Sequence, residues 1–180
     1  KDGKVIKALA QTTKMGFVFL LNRETGEPIF PIEEREVPQG AVKGDYVTKT
    51  QPFPSKPAPL TPTYLDPEEV FGFTPWDKGY CKKAAEDLRN EGLYTPPSLE
   101  GSVHYPSAIG GANWGGPAVD ASRNILIANT MNLSSTIVMV PRKDCDKALK
   151  ELARDNVQSR FSALQQNEGT PYCTIRAYGF

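Results

Sequence analysis

The sequence has no long hydrophobic run and no excess of charge of either sign. The longest apolar run, GFVFLL at 16–21, has the length of one strand, far short of the roughly 20 apolar residues that span a bilayer. Twenty-one basic residues balance 21 acidic ones, so net charge gives no attraction to nucleic acid and we expect no nucleic-acid partner. No secretion signal is present and the chain begins at Lys1, which is typical of an internal piece of a longer protein.

The common catalytic sequence motifs are also absent. The sequence contains no GxSxG, no HExxH, no phosphate-binding loop and no GxGxxG. A Ser-His-Asp triad would have to use the single histidine, His104, and no flanking pattern supports one; a strand histidine at a surface or blade edge is the favoured interpretation. The cysteines Cys81, Cys145 and Cys173 form no CxxC pair, which argues against a structural zinc site. Either two of the three cysteines form a disulfide, with a pairing that the sequence does not determine, or all three are ordinary thiols.

Turn-forming residues, in contrast, are abundant. Fifteen glycines and 16 prolines among 180 residues favour a turn-rich β protein over a helix bundle. The length is that of one ordinary domain, and a hydrophobic content of 39% is typical of a globular chain.

The chain divides into five predicted segments of one partial domain, residues 1–180. They are, in order, blade strands at 1–30, a proline-rich and helical insertion at 31–100, blade strands at 101–142, a helix at 143–168 and a truncated tail at 169–180. Strands this short and evenly spaced suit a sandwich or a propeller blade. At most two blade-like units are visible, and two blades cannot close a ring. The pattern therefore indicates a fragment.

Local patterns predict the individual elements. The prolines of the insertion are too dense for long ladders, and its aromatic residues favour an extended segment draped over a larger body rather than a flexible linker. The first segment is predicted to form a meander of three strands. The predicted bounds are strands at 5–10, 17–21, 27–30 and 102–106, a strand pair at 125–129 and 136–141, and helices at 77–90 and 144–166.

Three features are candidates for a binding site, each with a structural alternative. The glycine cluster 110–116 permits close backbone approach to a ligand or a neighbouring strand, and Trp114 within it offers a flat face and an indole donor. By pattern alone, a tight blade corner with a buried tryptophan explains this cluster. Lys14 would ordinarily be a solvated turn lysine, and Asn129 would ordinarily cap a strand.

Several motifs resemble one known family. They are KMGFVFLLNRETG at 14–26, VPQGAVKGDYV at 37–47 followed by TQPF at 50–53, LYTPPS at 93–98, NWGGPAVD at 113–120, IAN at 127–129, VPR at 140–142 and GTPY at 169–172. In this order they are similar to the membrane-bound quinoprotein glucose dehydrogenases and their quinate-oxidising relatives, which use pyrroloquinoline quinone (PQQ). The match covers nearly all of residues 1–142 and the short tail motif. Residues 143–166 depart from the glucose dehydrogenases, which leaves the substrate open.

The resemblance implies a mainly β fold that is part of an eight-bladed β-propeller, here about two blades with inserted helices. Such enzymes hold PQQ near the propeller axis and oxidise a sugar or polyol hydroxyl in the periplasm, and their membrane-anchored parent passes electrons to ubiquinone. A hydride goes to the quinone while an aspartate removes the hydroxyl proton, and Ca²⁺ or Mg²⁺ polarises the quinone carbonyl.

By the same resemblance, Lys14 and Asn129 match cofactor-binding positions. Lys14 falls on the lysine that points at the quinone oxygens, where a fixed ammonium stabilises the negative charge of reduction. Asn129 falls on an asparagine of the PQQ pocket, and Asn113 and Trp114 lie in a loop near it. The family's catalytic aspartate and metal ligands match no residue here, so we expect the isolated chain to be inactive. The alternatives are a quinate, shikimate or other polyol dehydrogenase, and a binding module without catalysis.

Overall fold

A computed structural model describes residues 2–154 and 162–179. The fold is mainly β, as predicted: several small sheets carry two inserted helices. Short 3-10 helices cover Pro67–Glu69 and Arg142–Asp144. The strands are β1 (Ala8–Thr12), β2 (Val18–Asn22), β3 (Ile32–Glu36), β4 (Thr50–Pro54), β5 (Ser102–His104), β6 (Pro117–Asp120), β7 (Ile125–Ala128), β8 (Ser135–Pro141), β9 (Ser162–Gln165) and β10 (Tyr172–Tyr178), and the helices are α1 (Pro75–Glu86) and α2 (Cys145–Arg154).

The first segment forms a hairpin rather than the predicted three-stranded meander. Strands β1 and β2 pair antiparallel from Ala8 opposite Asn22 to Thr12 opposite Val18. The expected third strand at 27–30 is reduced to a single bridge between Leu21 and Pro28, since a proline in that stretch has no amide to donate.

The proline-rich insertion packs against the rest of the chain, as the draped-segment interpretation expects. Strands β3 and β4 form a ladder of five residue pairs although β4 contains two prolines. The sheet has only these two strands, so a proline whose nitrogen faces the outer edge leaves no ladder hydrogen bond unmade. The ring of Phe53 contacts Phe17 and Tyr94, with centroids 5.2 and 5.8 Å apart. These rings hold the insertion against the first hairpin.

Helix α1 begins two residues before its predicted start and ends at Glu86, four residues before its predicted end. The Thr74 hydroxyl accepts a hydrogen bond from the amide of Asp77, and Pro75 takes the first helical position, a capping arrangement that defines the start. Ala85 faces a small core with Leu65, Val70 and Val103.

The predicted pairing of 125–129 with 136–141 is wrong. Strand β7 instead pairs with β6, from Pro117 opposite Ala128 to Asp120 opposite Ile125. Strand β8 lies inside a four-stranded sheet of order β5-β8-β10-β9. The turn residues 121–124 close a short hairpin locally, and β10 offers β8 a longer ladder of seven pairs.

The last third departs most from the prediction. Helix α2 ends at Arg154, and Ser162–Gln165 is the edge strand β9 rather than part of a helix. The periodic positions Val157 and Phe161 lie outside the described residues. The tail, expected to lack a finishing element, forms β10 between two neighbours, where Leu164 of β9 pairs opposite Ile175.

A disulfide joins Cys145 to Cys173 across 28 residues, and Cys81 is a free thiol. The disulfide fixes the start of α2 to the inner strand β10. It resolves which cysteines are paired, a point that the sequence left open. The helices of the described part of the chain are too short or too polar to span a lipid bilayer.

Candidate cofactor-binding site

Lys14 lies in the tight turn between β1 and β2. The amide of Thr13 donates to the carbonyl of Phe17, and the amide of Gly16 donates back to Thr13, both at 3.0 Å. Gly16 has a φ of +76°, a left-handed conformation that glycine adopts without strain. The turn therefore presents Lys14 at the end of the hairpin in a defined position.

Two hydrogen bonds tie Lys14 to residues 108 and 111, just before the glycine cluster and at its start. Its amine donates to the carbonyl oxygen of Ala108 at 2.7 Å, and its own carbonyl accepts from the amide of Gly111 at 2.8 Å. The amine, although exposed, is thus directed along the loop rather than into bulk solvent. One donor of three is used in this contact, so two remain for a ligand.

The glycine cluster forms a cleft that brings three of the four predicted residues together. Asn113, Trp114 and Asn129 line it, and its volume is about 70 Å³. Gly110, with a φ of +101°, separates this cleft from Lys14: a Cβ there would lie 2.0 Å from the Asn113 Oδ1 atom and 3.0 Å from the Lys14 Cγ atom. Lys14 lines the adjoining cavity instead.

The β6–β7 hairpin delivers Asn129 to the cleft. Pro117 pairs opposite Ala128, so the next residue, Asn129, returns beside the glycines, and a Cβ on Gly115 would lie 3.3 Å from its Nδ2 atom. The Asp120 carboxylate closes the hairpin turn by accepting hydrogen bonds from Ser122 and Arg123. These bonds lower the pKa of the carboxyl, the bond from the Ser122 hydroxyl most strongly and that from the Arg123 amide next.

Trp114 is not the buried corner residue that the pattern alone suggests. Its side chain is 75% exposed, and its indole nitrogen donates to the carbonyl of Ile109 at 2.5 Å. The ring is therefore fixed at its edge while its faces remain open for stacking.

Lys14 also borders a cavity of about 220 Å³ together with Tyr94, His104 and Ser107. His104 lies on the edge strand β5, as predicted, and its Nε2 atom is buried without a hydrogen-bond partner. Burial lowers the pKa of His104, the nearby charge of Arg176 lowers it further, and a backbone hydrogen bond at Thr95 acts in the opposite direction. The histidine is therefore held neutral.

Sequence reasoning missed two contributors to this site. The carbonyl of Ala108 receives the Lys14 amine, and a backbone acceptor leaves no signal in a side-chain pattern. Thr61 lies buried against Gly16 and Gly111, but it sits in a proline-rich run whose composition suggests no role. Within residues 2–154 and 162–179, no group of three or more His, Cys, Asp and Glu side chains is placed to hold a metal ion.

Comparison with protein families matches residues 1–178 to the PQQ family described as glucose/ethanol/alcohol dehydrogenase, β-propeller domain. The chain belongs to this family, and its small sheets are parts of a β-propeller.

Individual relatives agree with this assignment. The chain is 39% identical over 172 residues to the quinoprotein glucose dehydrogenase of Escherichia coli (strain K12), an alignment that covers 95% of the chain and 21% of the relative. It is 38% identical over 173 residues to that of Gluconobacter oxydans (strain 621H), covering 96% and 21%. It is 33% identical over 177 residues to the probable quinate dehydrogenase (quinone) of Xanthomonas campestris pv. juglandis, covering 96% and 22%. The chain thus spans about a fifth of the length of these relatives. No solved structure matched.

The residues present fit part of a PQQ site. A planar, anionic quinone needs a flat apolar face, amide partners and a cation, and the cleft provides the open faces of Trp114, the amides of Asn113 and Asn129, and the neighbouring Lys14 amine. The Asn113 Oδ1 atom is buried without a partner, which leaves hydrogen-bonding capacity at the cleft. Because ligand pockets usually enclose about 300–1,000 Å³, a cleft of about 70 Å³ corresponds to one wall of such a site.

Proposed function

We propose that this chain is part of a PQQ-dependent dehydrogenase that oxidises a sugar or polyol, with glucose as the substrate, and that it forms one wall of the cofactor site. The observation that carries this proposal is the pair of hydrogen bonds that fixes Lys14 to Ala108 and Gly111, close to Asn113. Family membership supports the reaction class.

In this proposal Lys14 provides a fixed positive charge. PQQ, when bound, would supply an electron-accepting quinone whose oxygens would gain negative charge. An ammonium already held in place stabilises that charge without reorganising at the moment of reaction. Its bond to Ala108 holds the amine at the cavity that adjoins the cleft.

Asn113, Asn129 and Trp114 bind and orient the cofactor. The two carboxamides each offer a donor and an acceptor, which suits a rim of carbonyl, carboxylate and ring nitrogen groups. The exposed indole of Trp114 covers part of a planar ring and excludes water from it.

The remaining machinery belongs to the rest of the protein. We propose that a catalytic aspartate and the ligands of a Ca²⁺ or Mg²⁺ ion come from segments outside this chain. Electron transfer to ubiquinone, a periplasmic location and a membrane anchor are part of the same proposal, and they rest on the resemblance of the motifs. The apolar side chains that the β6–β7 hairpin leaves open, Val119 at 68% and Ile127 at 57% exposure, suit contact with further blades.

The identities of the relatives bear on the substrate. Glucose is favoured because two relatives named as glucose dehydrogenases are 38% and 39% identical to the chain, although a third is 33% identical, against 33% and 29% for the two named as quinate dehydrogenases. A quinate, shikimate or other polyol dehydrogenase is the second candidate.

The test uses the full-length protein that contains this chain, purified and loaded with PQQ and a divalent ion. We expect PQQ-dependent reduction of an artificial dye with glucose in excess of quinate and glycerol, and a loss of roughly 10²–10³ in kcat for Lys14→Ala. Retained kcat in that variant would refute the role of Lys14. Absence of dye reduction with every substrate would instead support a binding module without catalysis.

A further inference from the structure

Thr61 is a deeply buried polar residue in the proline-rich insertion. It is 4% exposed, and its hydroxyl has no hydrogen-bond partner in the described part of the chain. A buried hydroxyl without a partner destabilises the folded state. The insertion therefore does not place Thr61 here for a hydrogen bond of its own.

The side chain of Thr61 fills a notch between two glycines. A Cβ on Gly16 would lie 2.0 Å from its Oγ1 atom, and a Cβ on Gly111 would lie 2.9 Å from Oγ1 and 3.0 Å from Cγ2. The two distances to Oγ1 are shorter than non-bonded atoms allow, so any larger residue at either glycine would displace Thr61 or the loop that bears the glycine. The Thr61 side chain thus packs directly against the backbone of both glycines.

Backbone hydrogen bonds connect one of these glycines to the insertion and the other to Lys14. The amide of Leu60, next to Thr61, donates to the Gly16 carbonyl at 2.8 Å, and the Gly111 amide donates to the Lys14 carbonyl at 2.8 Å. Thr61 therefore lies where the insertion, the β1–β2 turn and the glycine cluster meet. The size of its side chain sets how far apart the turn and the cluster stand.

From this geometry we infer that Thr61 is a positioning residue for Lys14: its shape fixes the turn against the glycine cluster and so aims the amine. The inference rests on the proposed function, in which Lys14 contacts PQQ. It also assigns the insertion a part in cofactor binding.

The test is a double-mutant cycle on PQQ affinity, measured by titrating the cofactor into the full-length protein prepared without it. Thr61→Ala empties the notch and should weaken PQQ binding by roughly ten- to a hundredfold, since misplacement of a binding group by about 1 Å costs this much. On the Lys14→Ala background the same change should have no further effect. Additive losses would show that Thr61 does not act through Lys14 and would overturn the inference.

Thr61→Val separates shape from hydrogen bonding. Valine keeps the size and removes the unpartnered hydroxyl, so PQQ affinity should stay within about threefold of the wild type and the thermal midpoint of the cofactor-free protein should not fall. A loss equal to that of Thr61→Ala would contradict a role through shape. Thr63→Val, in the same insertion but lining a different cavity, is the matched control and should leave PQQ affinity unchanged.

A second pair of variants tests the inference if Thr61→Ala alone fails to fold: side-chain volume is added at Gly111 and removed at Thr61. Gly111 has no positive φ, so its backbone permits alanine, and the atoms nearest to the added Cβ belong to the Thr61 and Pro106 side chains. Gly111→Ala should weaken PQQ binding, and Gly111→Ala with Thr61→Ala should recover at least half of that loss on a logarithmic scale. No recovery would overturn the inference.

The outcomes also separate the inference from the proposed function. If Lys14→Ala itself leaves PQQ affinity unchanged, the assignment of Lys14 fails. If Lys14→Ala weakens binding and Thr61→Ala does not, the assignment stands and only the positioning role is lost.

Discussion

The amine of Lys14 donates a 2.7 Å hydrogen bond to the carbonyl oxygen of Ala108, which lies 94 residues further along the chain. This contact joins the turn of the first hairpin to the loop just before the glycine cluster, and a second bond, from the Gly111 amide to the Lys14 carbonyl, joins the turn to the cluster itself. A lysine in an ordinary surface turn keeps its amine hydrated and mobile. Here the amine is held at the border of a cleft, where it loses less conformational entropy on meeting an anionic ligand.

Gly110 should tolerate no side chain. Its φ of +101° is a conformation that residues with a Cβ rarely adopt, and the added carbon would lie 2.0 Å from the Asn113 Oδ1 atom. We expect Gly110→Ala to weaken PQQ binding at least tenfold, because Asn113 and the Lys14 stem must both move. Gly116→Ala is the control: its φ is +61° and nothing lies within 4 Å of the added carbon. Equal affinities for the two variants would contradict this account of the cleft.

Removing the disulfide should destabilise the sheet that carries β10. We expect Cys145→Ser with Cys173→Ser to lower the free energy of unfolding by about 2–5 kcal/mol, measured by denaturant unfolding under oxidising conditions. Cys81→Ser should have a much smaller effect, since that cysteine is a free thiol. If the double variant is as stable as the wild type, the bridge between α2 and β10 contributes nothing to stability.

His104 should titrate below its ordinary pKa of 6.5, because burial and the charge of Arg176 favour the neutral ring. Between the lowered pKa and about 6.5 the unfolded chain binds more protons than the folded one, so the free energy of unfolding falls as the pH drops through this window.

The single histidine makes this measurement direct. Its C2 proton can be followed by NMR in the 180-residue chain, and the midpoint should lie below 6.5. His104→Gln should lose that contribution to the pH dependence of stability. A midpoint at or above 6.5 would show that the ring is solvated or paired with an acid.

Local patterns predicted five of the ten strands described, which are β1, β2, β5, β7 and β8. They predicted neither the other five strands nor which strands pair. Glycine, proline and asparagine mark turns through their own backbone preferences, so the hairpin strands β1 and β2 were found within a few residues of their bounds. The partner of β8 was not, because its choice of β10 over β7 depends on the relative lengths of ladders formed far apart in sequence. The error at 162–165 has a similar origin: Leu164 fits a helical stripe, but pairing with β10 decides its state.

The candidate site was predictable only where a family motif marked it. Asn113, Trp114 and Asn129 were named from the sequence and share one cleft, and Lys14 lies beside them across Gly110. The roles of Ala108 and Thr61 could not be seen, because one contributes a backbone carbonyl and the other a shape. Contacts of these two kinds exist only after the chain has folded.

The most direct measurement is an experimental structure of the full-length protein with PQQ bound. We expect the Lys14 Nζ atom within about 3.2 Å of a quinone oxygen, with Asn129 and Trp114 on the same wall of the pocket. A bound cofactor with the Lys14 amine more than about 6 Å away and turned toward solvent would contradict this account, since electrostatic stabilisation of this kind requires direct contact.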